Sequence, residues 1–204
     1  MIRRNLLAIA IFTANFYFAQ IDNYGLKGGL NISSLATNLA NQSSQYSSIT
    51  FDTNSKIGVY LGAYAEKKHT EKGSFVGEAI LSFQGAKLTQ KQSYSIPGYG
   101  SNSQSVVSNI SITQLNIPVY YKYRTSEKFS IHGGGYLGLL LGSKIQSVAF
   151  NNNTIDLGLL AGASYVFNDK ITAEARYNLG LLKLDDFYNF QNRVLQLGIS
   201  YKLK

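Results

Sequence analysis

The sequence predicts an all-β chain: an eight-stranded antiparallel up-and-down transmembrane β-barrel, preceded by a cleaved signal peptide. Three observations carry this reading. Apolar and polar residues alternate one by one over eight separate segments, the period of a strand with two unlike faces. The connections between the segments run long, short, long, short along the chain, the layout of a barrel that crosses a membrane. The composition also fits poorly with a water-soluble β-domain: charged residues make up 15% of the chain, against about 25% in soluble domains.

The chain begins with Arg3 and Arg4, an apolar run from Leu6 to Phe18, and the small residue Ala19. That is the layout of a secretory signal peptide, and the run is shorter than the roughly 20 residues of a spanning helix. Residues 1–19 are therefore expected to be a leader cut after Ala19, leaving 20–204 as one barrel domain. Export excludes a cytoplasmic enzyme.

The clearest strand is 171–182. Ile171, Ala173, Ala175, Tyr177, Leu179 and Leu181 occupy one face, and Thr172, Glu174, Arg176, Asn178 and Gly180 the other. The same alternation is expected over 23–33, 55–66, 74–84, 111–123, 129–144, 154–167 and 193–203. Pro118 lies inside the fourth of these eight strands; it cannot donate a ladder hydrogen bond, so a bulge or broken pairing is expected there. Residues 67–73, 124–128 and 168–170 read as short turns. Residues 34–54 and 85–110, rich in Ser, Asn and Gln, read as long polar loops.

Alternation alone does not say which face is inside. The polar face is rich in glycine (Gly25, Gly29, Gly58, Gly62, Gly158 and Gly198 among others), where a solvated outer surface would carry more Lys and Glu. A narrow lumen requires small residues. Aromatic residues of the apolar face cluster beside the short turns: Tyr24, Phe75, Tyr123, Phe129, Phe167 and Tyr201. These are expected to form an interfacial aromatic girdle in lipid. The apolar face therefore points outward. Closure into a ring also pairs every backbone group, as lipid requires. Eight strands enclose an interior that side chains just fill, which argues against a wide pore.

The polar face then places Lys27, Glu66, Glu78, Lys122, His132, Glu174 and Arg176 in the lumen. Lys27, Glu78, Lys122, Glu174 and Arg176 are expected to form a lumenal charge network, because an unpaired charge in a closed barrel is costly. Glu78 and Arg176 lie on opposite strands and are expected to meet across it. No catalytic residues are assigned: no Ser/His/Asp spacing or phosphate loop accompanies His69 or His132. Cys is absent, and no metal or cofactor is implied. The formal net charge is +8, but Lys and Arg are scattered, so outer-membrane lipid rather than nucleic acid is the expected partner.

YGLKGGLN (24–31), the strand containing Glu78, LNIPVYYKY (115–123), GGGYLGLLLG (133–142) and EARYNLGL (174–181) resemble the small outer-membrane β-barrel family that includes PorT-type proteins. The last strand, 196–203, resembles the C-terminal signal read by the outer-membrane assembly machinery, although it ends Leu203-Lys204 rather than on an aromatic residue. The resemblance implies the outer membrane of a Gram-negative bacterium. It leaves several roles open: a structural or surface-interaction protein with possible envelope partners, an accessory barrel of a secretion complex, a small-solute channel, or a lipid-modifying enzyme.

Overall fold

The computed structural model describes residues 21–36, 42–96, 98, 100–145, 155–183 and 191–204. The expected leader, 1–19, lies outside the described residues. Eight long strands form the barrel: β1 (Asn23–Ala36), β2 (Ser47–Lys68), β3 (Gly73–Ile96), β4 (Gly100–Arg124), β5 (Phe129–Ile145), β6 (Ile155–Val166), β7 (Ile171–Lys183) and β8 (Gln191–Lys202). Each pairs antiparallel with the next. β1 pairs with both β2 and β8, which closes the ring. A two-residue strand, Gln42–Ser43, sits beside the start of β2.

The register puts the faces where the alternation requires. Leu26 lies opposite Tyr201, Leu30 opposite Leu197 and Ile32 opposite Leu195, and all six side chains are exposed. Ile57 is 71% exposed and Leu61 57%, whereas Arg176 and Asp156 are 1% exposed and Asn31 and Gln114 fully buried. Such a molecule has its apolar surface outside and its polar surface inside. Only a hydrocarbon surround makes that arrangement favourable.

The structure corrects two of the expected loops. Residues 47–54, expected as loop, are the first part of β2, and residues 85–110, also expected as loop, are almost wholly strand. Residues 86–96 and 100–110 pair without interruption into a long hairpin. Its tip contains Gly98 (φ 85°) and Gly100 (φ 92°), left-handed conformations that favour glycine. β1 leaves β2 after the Ser33–Lys56 pair, and among the described residues the β5–β4 pairing ends at Ile145–Ile110. Above those points the described parts of β2, β3 and β4 continue as a sheet that projects from the long-loop end.

Four irregularities shape the ring, one of them a shift in the β7–β8 register between Leu179 and Lys183. The β3–β4 ladder keeps its register but omits the pairs around Pro118, between Gly77–Val119 and Ile80–Asn116. The missing proline N–H accounts for that gap. The β2–β3 register shifts between Ser55 and Tyr60, and the β4–β5 register shifts between Thr113 and Gln114. These two shifts lie close to where the projecting sheet leaves the ring, and bulges of this kind bend and twist strands.

Candidate functional site

The lumen is filled in three tiers. Nearest the short turns is an ionic tier. Lys27 Nζ donates to Glu78 Oε1 at 2.8 Å and to Glu174 at 3.0 Å. Arg176 forks onto Glu78, Nη1 to Oε2 at 2.8 Å and Nη2 to Oε1 at 2.9 Å, and also donates to Glu174. Two cations thus hold two carboxylates, and the cluster is neutral. A bidentate Arg–carboxylate pair adds geometric specificity to the attraction. Lys122 stands apart: it pairs with Glu66 at 2.7 Å rather than joining the Glu78 cluster.

Tyrosines of the polar face complete this tier, a role that charge-pairing arguments do not reveal. Tyr120 donates to Glu78 Oε1 at 2.6 Å. The Arg176 guanidinium lies 4.8 Å from the centre of the Tyr120 ring. The inward glycines make room for such rings: a Cβ at Gly158 would lie 2.6 Å from Tyr136 Cζ, and one at Gly198 would lie 2.9 Å from Tyr60 Cζ. The sequence signal was present, because each of these tyrosines shares the glycine-rich face.

The middle tier is built of amides and hydroxyls. Gln196 donates to Asn31, Asn31 to Ser82, and Ser82 to Gln84. Gln84 donates to Gln114, and Gln114 donates to Asp156 at 3.1 Å. Tyr136 and Asn192 also donate to Asp156. The uppermost tier is an apolar plug of Leu35, Ala86, Leu88, Ile110 and Ile112, with Leu140 against it. Below the ionic tier a vestibule of about 330 Å³, lined by Lys27, Glu66, Glu78, Lys122, Arg124 and Glu174 among others, faces the short-turn end.

The two histidines occupy unlike places. His132 is buried, 4.8 Å from the Tyr120 ring and 3.8 Å from Glu174. No nucleophile among the described residues hydrogen-bonds to it. His69, in a short turn, meets Phe75 edge-on at 5.5 Å.

On the outer surface Tyr24, Phe75, Tyr123, Phe129, Phe167 and Tyr201 are all exposed; Phe75, Tyr123, Phe129 and Phe167 lie within a few residues of a short turn, and Tyr24 and Tyr201 sit beside the paired ends of β1 and β8 on that side. Tyr121 and Tyr165 join them: Phe75 meets Tyr121 at 5.1 Å, and Tyr165 meets Phe167 at 5.3 Å.

A family model described as the outer membrane protein beta-barrel domain matches residues 18–186. This chain belongs to that family. The barrel therefore resides in the bacterial outer membrane, where the short turns of such barrels face the periplasm and the long loops face outward. Two solved structures share its fold. Neisserial surface protein A is 15% identical, with a TM-score of 0.54 over 88% of this chain and 97% of its own. The attachment invasion locus protein Ail of Yersinia pestis is 14% identical, with a TM-score of 0.50 over 90% of this chain and all of its own. At these identities the likeness concerns the fold alone. No curated protein matches the sequence.

Proposed function

We propose that this barrel is a membrane anchor for a surface-interaction module, and that the module is the projecting sheet of β2, β3 and β4. The observation that carries this reading is the contrast between the two ends of the molecule. The lumen is packed by ion pairs, amides and an apolar plug, a filling suited to stability rather than to passage of solutes or to catalysis. The projecting sheet is the opposite: residues 100–107 are exposed on both faces, far more strand than a membrane crossing of about 9–11 residues needs. Exposed backbone on a rigid scaffold is where binding function concentrates. Outer-membrane lipid covers the apolar face and its aromatic belt. The assembly machinery reads the final strand during insertion, after export through the leader.

The test is a bacterial host displaying either the full chain or a variant in which residues 90–106 are replaced by Asn-Gly, a two-residue hairpin turn. Adhesion of the cells to one another and to protein- and glycan-coated surfaces is compared. The proposal expects adhesion to be lost in the shortened variant; equal adhesion by both would overturn it.

A second reading, an accessory barrel of a secretion complex in the manner of PorT-type proteins, draws on the vestibule. Arg124, Glu127, Asp169 and Lys202 stand around it and offer a periplasmic partner charged groups to engage. Pull-down from native outer membrane distinguishes the two. Partners retained by the shortened variant favour the accessory role, and partners lost with residues 90–106 favour the surface role.

A further inference from the structure

Register brings two rows of side chains onto one face of the projecting sheet. Ser48, Ser93 and Ser103 form the first row, across β2, β3 and β4. Tyr46, Ser95 and Ser101 form the second: Ser95 pairs with Ser101, and its N–H donates to the Tyr46 carbonyl at 2.9 Å. Residues two apart on a strand share a face, so the rows lie side by side. A closed turn holds Tyr46 in place. The Ser44 N–H donates to the Ser47 carbonyl at 2.7 Å, and the Ser47 N–H donates back to Ser44 Oγ at 3.2 Å. The six residues of the two rows border a hollow of about 350 Å³, a volume within the range of small-ligand sites, about 300–1,000 Å³. Five short serines give it a floor of hydroxyls, and Tyr46, 49% exposed, adds an aromatic ring beside them.

The chemistry of this surface selects its ligand. Each hydroxyl both donates and accepts a hydrogen bond, and a tyrosine ring offers a flat apolar face. No charged residue occurs in residues 28–51, 92–121 or 145–155. The nearest charges along the two strands, Asp52 and Lys91, neutralise each other at 3.6 Å. The surroundings therefore give no field to draw in a phosphate, a sulfate or an ammonium group. A protein partner fits poorly too. Serine is depleted from protein–protein interfaces and under-represented among the residues that dominate their binding energy. The matching ligand is uncharged, dense in hydroxyls, and has a C–H face to lay on one ring.

We propose that this hollow binds a neutral sugar unit of a glycan, with Tyr46 stacked on the sugar ring and the serine hydroxyls bonded to its own. The proposal rests on the projecting sheet being the interaction module, and it names what that module holds. One sugar in an open hollow is a weak bond. Many barrels on one cell engage a repeating polysaccharide together, and avidity then exceeds the single affinity by orders of magnitude.

The test uses the full-length barrel in fluorescent phosphatidylcholine vesicles, with protein-free vesicles as background. Retention is measured on beads coated with dextran, mannan or galactan, with dextran sulfate, or with gelatin. Wild type, Tyr46→Ala, Tyr46→Phe and a triple variant (Ser93→Ala, Ser95→Ala, Ser101→Ala) are compared. Folding of each is checked by its shifted mobility on an unheated gel. Wild-type vesicles are held by at least one of the three neutral polysaccharides, equally at low and high salt because no charge is engaged, and the free methyl glycoside of the same sugar releases them. Tyr46→Ala and the triple variant each lower retention by about tenfold or more, and Tyr46→Phe keeps it. Retention by none of the neutral polysaccharides, retention by dextran sulfate or gelatin alone, or retention that survives Tyr46→Ala and the triple variant would each overturn the proposal. If the neutral polysaccharides fail while residues 90–106 are still needed for adhesion of cells to protein-coated surfaces, the sugar site falls and the surface role stands. If those residues are dispensable for all adhesion, the surface role itself fails.

Discussion

β4 is one continuous strand in two environments. Over 108–120 its residues alternate: Ser108, Ile110, Ile112, Gln114, Asn116, Pro118 and Tyr120 are buried, while Ile117 and Val119 are exposed to lipid. Over 100–107 every residue is exposed. Among the described residues the lower half is held by neighbours on both edges, the upper half by β3 alone. The comparison separates two jobs that a single strand performs, anchoring and display. Stability should therefore depend strongly on the lower half and its tier of the barrel, and weakly on the upper half.

The largest effect is expected at the ionic tier. Arg176→Ala leaves Glu78 and Glu174 to share Lys27, and breaking a buried pair costs about 3–5 kcal/mol. Urea unfolding in lipid vesicles should show that loss; a loss below about 1 kcal/mol would mean that the fork is a surface-like ion pair. Next is the lipid face. Leu61→Arg puts a charge near the middle of the span and should cost about 2–4 kcal/mol by the same measurement, whereas Thr50→Arg, in the projecting part of β2, should cost little. A destabilisation at Thr50 equal to that at Leu61 would erase the boundary between the two regions. Smaller again is Gly158→Val. Its side chain meets the Tyr136 ring and the Leu179 backbone carbonyl, and overpacking costs about 1–3 kcal/mol. The companion change Tyr136→Ala should recover only the part of that loss that comes from the ring, because the clash with the Leu179 carbonyl remains.

The same comparison explains what the sequence discloses. Alternation of apolar and polar residues marks a contrast between the two faces of a strand, not the strand itself. Over 171–182 lipid lies on one side and a packed lumen on the other, so Tyr177 and Arg176 declare their faces and the whole barrel can be read. Over 85–110 the upper part of the hairpin has similar surroundings on both sides, so the alternation fades into Ser, Asn and Gln and resembles a loop. Lys122 shows a second limit. Facing inward is legible from its parity, but its choice of Glu66 over Glu78 depends on the height of each residue in the ring, which strand stagger sets. Tyr120 shows a third: its hydroxyl completes the Glu78 cluster, yet a tyrosine on a polar face carries no charge that demands a partner.

The division between anchor and display is tested most directly by equilibrium unfolding of the variant with residues 90–106 replaced by Asn-Gly, beside wild type, in the same vesicles. The replacement keeps the Thr89–Val107 pair at the new turn and leaves Leu88 in the apolar plug. The account predicts unfolding free energies within about 0.5 kcal/mol of each other. A loss of several kcal/mol, or failure of the shortened chain to fold, would contradict it and make the projecting sheet part of the barrel's own foundation.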